Sequence, residues 1–261
     1  MAEHVAGVPM WWHSIDLGGG VVTPGTKPVD MNSELLALQL PDLRGKTVLD
    51  VGAWDGFYSF AAERLGARRV VALDYYTWSV DREALEADQA ARPRGSPVGH
   101  SERRPGVWRP DTLPGKRGFD LAHAALESRV ESVVADFMDV DLATLGAFDV
   151  VLFLGVLYHL RHPLLALERL AAVTDTLAVI ETEAAAFGRR EKRALCEFFE
   201  RAYRGDTRTW WVPNERAVVG LCRAAGFADV RVLTDAPRSG SYRLVVHAFK
   251  AGNPSLAGEA G

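Results

Sequence analysis

Apolar and polar positions along the chain follow two different periods. Short, nearly unbroken apolar runs lie at 47–52 (TVLDVG), 69–74 (RVVALD), 132–136 (SVVAD), 148–155 (FDVVLFLG), 177–183 (LAVIETE), 228–233 (ADVRVL) and 243–249 (RLVVHAF). Runs of this length, rich in Val and Leu, predict strands covered on both faces. Between them, 57–67, 162–173 and 214–227 carry apolar residues at helical spacing, the last behind a Pro-Asn start signal. Strand alternating with helix predicts an α/β fold, a Rossmann-like seven-stranded, mostly parallel sheet with helices on both faces. Residues 1–44 form an N-terminal extension expected to cover the ligand site, 45–250 the main domain, and the small, polar 251–261 a flexible tail.

One stretch, 91–118, breaks the rhythm with Pro, Gly and Arg where a crossover helix would suffice. It predicts a long basic insertion after the second strand: from Arg92 to Gly118, Arg92, Arg94, Arg103, Arg104, Arg109, Lys116 and Arg117 face only Glu102 and Asp111, a net +5. Loops this long are usually functional or disordered. Trp108 gives this one something to pack, so a substrate lid and plain disorder are both open.

Composition narrows the partners. The net charge is −4 over 261 residues, with both signs spread along the chain, so nothing global recruits nucleic acid or an anionic membrane. The longest apolar run, 150–158, falls far short of the roughly 20 residues of a membrane helix, and Met1 to Met10 has no Lys or Arg. A cytoplasmic protein without a membrane partner is expected. Cys196 and Cys222 each sit on a helical pattern away from any CxxC or His cluster, which predicts two reduced core thiols and no metal site.

Candidate chemistry sits at the strand ends. In open parallel sheets ligands bind there, and the glycine turn VLDVGAWDG (48–56) lets backbone amides approach one closely. Gly52 and Gly56 enclose Ala53, Trp54 and Asp55, so the middle glycine of a dinucleotide fingerprint is missing, and there is no GxxxxGK[ST]. Asp50 and Asp55 repel phosphate and welcome a cation, an ammonium or a sulfonium. Asp74, followed by Tyr75, ends the second strand, where a carboxylate can accept both ribose hydroxyls. Asp136 and Phe137 offer an exocyclic amine its acceptor and a purine its apolar cover.

These motifs resemble the class I S-adenosylmethionine-dependent methyltransferases across roughly residues 45 to 250. GVLYHLRHPLLALERL (155–170) and WWVPNERAVVGLCRAAGF (210–227) look closest to the group related to the bacterial tRNA wobble-uridine carboxymethyltransferase. WWHSIDLGGGVVTPG (11–25) resembles smaller relatives that lack its RNA-binding N-terminal part, an absence expected here too. The resemblance implies S-adenosyl-L-methionine as cofactor, held by Asp50, Gly52, Trp54, Gly56, Asp74, Tyr75, Asp136, Phe137, Leu154 and Tyr158. Trp54 departs from the glycine usual in the class. For a carboxylated donor the resemblance matches Tyr158 and Arg243 to carboxylate partners, while the third partner, a lysine, has only His13 or Lys27 to stand for it; the unmodified donor is preferred.

For proton removal the candidates are His159, Glu181 and His13. Each also has a plain structural alternative: a hydrogen-bonded core imidazole for His159, one of two same-facing strand residues with Glu183 for Glu181, and an aromatic cap for His13. His159 is the first expectation, because an imidazole ordinarily titrates near neutral pH. Tyr158 either contacts the cofactor or packs under the insertion. Trp210 and Trp211 either wall an acceptor pocket or pack beneath a sheet edge, and His123 is an ordinary helical histidine. Transfer to an oxygen of a small bacterial metabolite or its sugar is the leading expectation. A tRNA wobble-uridine enzyme, a nicotinamide oxidoreductase without its fingerprint and a non-catalytic cofactor-binding protein are the competitors.

Overall fold

The computed structural model describes residues 1–27, 31–91, 104–188 and 192–252. The first part of the expected insertion, 92–103, and nearly all of the expected tail, 253–261, therefore lie outside the described residues. Two compact units emerge, residues 1–45 with 49–139 and residues 46–48 with 140–261.

The first unit begins with α1 (Ala2–Ala6) and α2 (Met31–Ala37). It continues through β1 (Thr47–Val51), α3 (Phe57–Arg64), β2 (Arg69–Asp74), α4 (Tyr76–Ser79), α5 (Arg82–Ala90), α6 (Arg117–Ala125) and β3 (Glu131–Val134). Leu49 and Val71 are at most 1% exposed, as strands sandwiched between helix layers require; each such side chain stabilises the fold by about 1.5–3 kcal/mol. Phe57, Phe60, Ala61 and Ala62 form the buried face of α3.

The second unit comprises α7 (Leu142–Leu145), β4 (Phe148–Leu154), α8 (Pro163–Val173), β5 (Thr174–Ala186), β6 (Cys196–Phe198), β7 (Trp211–Pro213), α9 (Glu215–Ala224), β8 (Asp229–Val232) and β9 (Gly240–Phe249). The seven-stranded sheet runs in the order β3-β2-β1-β4-β5-β9-β8. β2 pairs parallel with β3 and β4 with β5, whereas β9 is antiparallel to both β5 and β8. Only residues 233–239 separate β8 from β9, and a parallel crossover needs a dozen or more. The expected α/β fold is therefore present, with its antiparallel part dictated by loop length.

Two expectations change. Cys196 is not a core thiol on a helix: it lies exposed on β6, opposite Pro213. The pairing of β6 with β7 overrides the local helical spacing, because it satisfies backbone groups that a lone short helix would leave to water. Cys222 is buried on α9 as expected, its thiol pushed up to about 12 by burial. The described part of the insertion is packed chain. Val107 joins Val80 and Leu85 in an apolar cluster flanked by Trp108, Val80 and Trp108 form an antiparallel bridge, and the Arg109 N–H donates to the Ser79 carbonyl at 2.8 Å.

Among the described residues no helix is long and apolar enough to cross a membrane.

Candidate functional site

In the first unit the site is built where β1 and β2 end. Gly52 takes φ +80° and Gly56 φ +83°, backbone that other residues rarely adopt. At Gly56 there is also no room, since a Cβ would come within 2.4 Å of the Phe60 ring. Trp54 stands in the left-handed region at φ +47°, a conformation that disfavours a bulky residue. Four contacts hold it there. Its N–H donates to Asp74 Oδ2 at 3.0 Å and its carbonyl accepts Trp78 Nε1–H at 2.7 Å. Its indole stacks on Trp12 with centroids 5.1 Å apart, and the Arg82 guanidinium lies 4.9 Å from its ring.

Asp50 and Asp74 are buried, 2% and 4% exposed. Burial, opposed by the Ser59 hydroxyl that donates to Asp50 Oδ2 at 2.6 Å, raises the Asp50 carboxyl to about 7. Burial likewise raises Asp74 to about 6, against the N–H groups of Trp54 and Thr77 that it accepts. Asp136 follows β3 and is half-buried, with Oδ1 accepting the Met138 N–H at 2.9 Å, beside the buried Phe137. Tyr75 turns its ring edge-on to Trp108 at 5.3 Å.

The N-terminal extension docks on the same turn. Asp55 Oδ2 accepts the N–H groups of Trp12 and His13 at 2.9 and 2.7 Å, and Oδ1 lies 2.8 Å from His13 Nδ1. His13 is 8% exposed, and its ring stacks on Phe57 at 4.8 Å, with Tyr58 edge-on at 5.1 Å. The sequence marked Asp55 only as a charge that repels phosphate and welcomes a cation. Its link to His13 spans 42 residues and has no periodic signal.

The second unit carries the other candidates near the ends of β4 and β5. Leu154 lies opposite Glu181, and the Gly155 N–H donates to the Glu181 carbonyl at 2.9 Å. Glu181 grips the Arg243 guanidinium with both oxygens, and Glu183 accepts from the same guanidinium at 3.4 Å. The expected same-facing pair is therefore real: both carboxylates meet Arg243, and Glu183 also lies 3.9 Å from the Arg204 guanidinium. Burial works against the charge of Arg243, but Glu181 outweighs it and holds the guanidinium above its ordinary range. The guanidinium also sits 5.0 Å from the Tyr158 ring, and burial raises the Tyr158 hydroxyl while Arg243 opposes that shift.

His159 Nδ1 lies 3.1 Å from the Arg208 carbonyl. Burial, then the nearby Arg208 charge, push its imidazole down to about 4. Trp210 donates its N–H to the Tyr158 carbonyl at 2.9 Å and carries the Arg161 guanidinium 4.8 Å from its ring. Tyr203 and Arg208, absent from the sequence candidates, complete this cluster: Tyr203 donates to Glu183 at 3.0 Å, and Arg208 pairs with Asp206 at 2.9 Å. His123, as expected, is a structural residue on α6, bonded to the Val130 carbonyl at 3.0 Å.

Comparison with known proteins gives a consistent set. A family model described as a methyltransferase domain matches residues 28–232. The tRNA U34 carboxymethyltransferase of Chromohalobacter salexigens is 27% identical over 221 residues, 80% of this chain and 53% of that one. Its counterpart in Pseudomonas aeruginosa is 30% identical over 200 residues, 73% of this chain and 47% of that one. The chain spans about half the length of the curated relatives it matches. Among solved structures, the N-terminal domain of EvdMO1, crystallised in the presence of SAH and D-fucose, is 18% identical with a TM-score of 0.62 over 95% of each chain. That likeness is one of fold.

Proposed function

The chain belongs to the methyltransferase domain family, and on that premise we propose that it moves a methyl group from S-adenosyl-L-methionine to an oxygen of a small metabolite or its sugar. The observation that carries this reading is the pair of buried carboxylates, Asp50 and Asp74, beside a glycine turn. Two acidic groups held out of water without a full set of cationic partners suit a positively charged, ribose-bearing ligand, and their raised values show what that isolation costs them. When bound, the donor supplies a methyl on a sulfonium, already activated for displacement. The chain's own work is to hold and orient: Asp74 accepts ribose hydroxyls, Asp50 and the turn face the cationic end, and Asp136 with Phe137 takes the base. Orientation of this kind supplies much of the catalysis in a displacement reaction.

Calorimetry with S-adenosylhomocysteine tests the donor site. Asp74→Ala should weaken binding by roughly 1.5–3 kcal/mol, the range for hydrogen bonds to a charged group; wild-type affinity in the variant would remove Asp74 from the site. Transfer itself is read with a deuterated-methyl donor against a panel of deoxysugars and glycosides, by mass spectrometry.

The relatives named above raise a second reading, a carboxymethyl transfer to tRNA. A carboxylated donor brings an extra negative charge that must be paired where it is buried, but Glu181 and Glu183 already hold Arg243, and Glu34 holds Lys27. In the described part of the basic stretch, Arg104 pairs with Asp88, Arg109 with Asp81 and Lys116 with Asp120, while Arg117 donates to the Gly7 carbonyl. Both facts favour the unmodified donor and a small acceptor. In competition calorimetry the unmodified donor should bind tighter by about tenfold, some 1.4 kcal/mol. Tighter binding of the carboxylated form, lost in Arg243→Ala, would favour the tRNA reading instead.

A further inference from the structure

We propose that His13, carried by the N-terminal hairpin that the antiparallel Asp16–Val22 bridge closes and held by Asp55 on the glycine turn, accepts the proton of the acceptor hydroxyl, with Asp55 as its positioning residue. This rests on the methyl-transfer function proposed above. A carboxylate has only acceptor sites, so the ring nitrogen facing it at 2.8 Å is the one that carries hydrogen. Nδ1–H therefore points at Asp55, and in the neutral imidazole the lone pair is then on Nε2. Clamping the hairpin would need only the two backbone N–H bonds to Oδ2. The ring bond to the other oxygen fixes a tautomer as well.

The hairpin is shaped around this residue. Thr23 Oγ1 donates to the His13 carbonyl at 2.9 Å and accepts the Ile15 N–H at 2.7 Å. Gly25 passes so close that a Cβ would lie 2.3 Å from the His13 carbonyl carbon. The ring is then wedged against Phe57 and Tyr58 on α3, leaving it little freedom. Its partner Asp55 stands on the glycine turn that follows Asp50 at the end of β1.

The two other candidates are less suited. His159 hydrogen-bonds a neutral backbone carbonyl and gives up its proton at about pH 4, which makes it a weak base. Both oxygens of Glu181 are taken by Arg243. In the reaction the acceptor oxygen forms its bond to the methyl carbon as the carbon–sulfur bond breaks. The electron pair of that bond stays on sulfur, leaving a neutral thioether. The hydroxyl proton passes to His13 Nε2, the resulting imidazolium is stabilised by Asp55, and the proton leaves to solvent after the product.

The test needs no known acceptor. In wild-type protein labelled with ¹⁵N-histidine, the neutral form of His13 should carry its proton on Nδ1 and none on Nε2. Diethyl pyrocarbonate should modify Nε2, located by peptide mass spectrometry, and saturating S-adenosylhomocysteine should slow that modification at least tenfold. Asp55→Asn should shift the ring toward the other tautomer. A His13 that the reagent does not reach, that the cofactor product does not protect, or whose tautomer ignores Asp55→Asn would overturn the assignment. Calorimetry on the same samples separates the two levels: if S-adenosylhomocysteine does not bind, the donor reading fails and this proposal falls with it. With an acceptor from the panel, His13→Gln should lower kcat by about 10²- to 10⁴-fold at unchanged donor affinity, whereas a loss below about tenfold would overturn the role.

Discussion

Gly25→Ala is expected to detach the N-terminal hairpin from the glycine turn and to lower affinity for S-adenosylhomocysteine at least tenfold. The added Cβ would lie 2.3 Å from both the His13 carbonyl carbon and the Ser14 nitrogen. These are backbone atoms, and no rotamer change moves them away. Overpacking usually costs about 1–3 kcal/mol when side chains can shift, so a clash against backbone belongs at or above the top of that range. The chain can avoid it only by opening the hairpin, which breaks the three contacts of Asp55 with Trp12 and His13 and the stack of Trp12 on Trp54. Limited proteolysis within the first 26 residues, tryptophan fluorescence and calorimetry report the three consequences. Wild-type protection and affinity in the variant would mean that the hairpin does not support the turn.

The second large effect is a pH dependence set by Asp50. Its carboxyl rises from 3.8 to about 7 in the folded protein, chiefly through burial. Between these two values the folded state binds more protons than the unfolded state, so stability is greatest below the lower one and falls as pH rises through the upper one. The loss by pH 8 is on the order of a few kcal/mol. Asp50→Asn keeps a hydrogen-bond partner for Ser59 without the titration. The variant should therefore gain on the wild type by that amount between pH 4 and pH 8, in urea unfolding of the ligand-free proteins. Parallel stability curves would show that the Asp50 carboxyl is not raised. A cationic donor should reverse the burden by favouring the ionised carboxylate, so its binding near pH 7 should release protons, measurable as a dependence of binding heat on buffer.

The sequence by itself determined the layers and pointed to the glycine turn as the candidate donor site. Continuous apolar runs alternating with amphipathic stretches made the α/β fold legible, although β3, at the sheet edge, is largely exposed rather than covered on both faces. Acidic strand ends beside glycines were equally legible, because the carboxyl ends of strands are where such a sheet holds ligands. Asp50, Asp74, Asp136 and Phe137 come from nothing more. Tertiary structure decided the charge balance and the partners. Cys196 went to an exposed strand because pairing with residues 211–213 outweighs local helical spacing. His159 looked like a base from its place after β4, but only burial among Arg208 and its neighbours reveals how far its proton affinity falls. Arg243 and Glu181 lie 62 positions apart and become one ion pair through the antiparallel pairing of β5 and β9. His13 and Asp55 likewise meet across 42 positions. Periodicity encodes which face of an element is buried; it carries no information about which polar groups from distant elements share one buried place, and that pairing sets tautomer, charge and basicity.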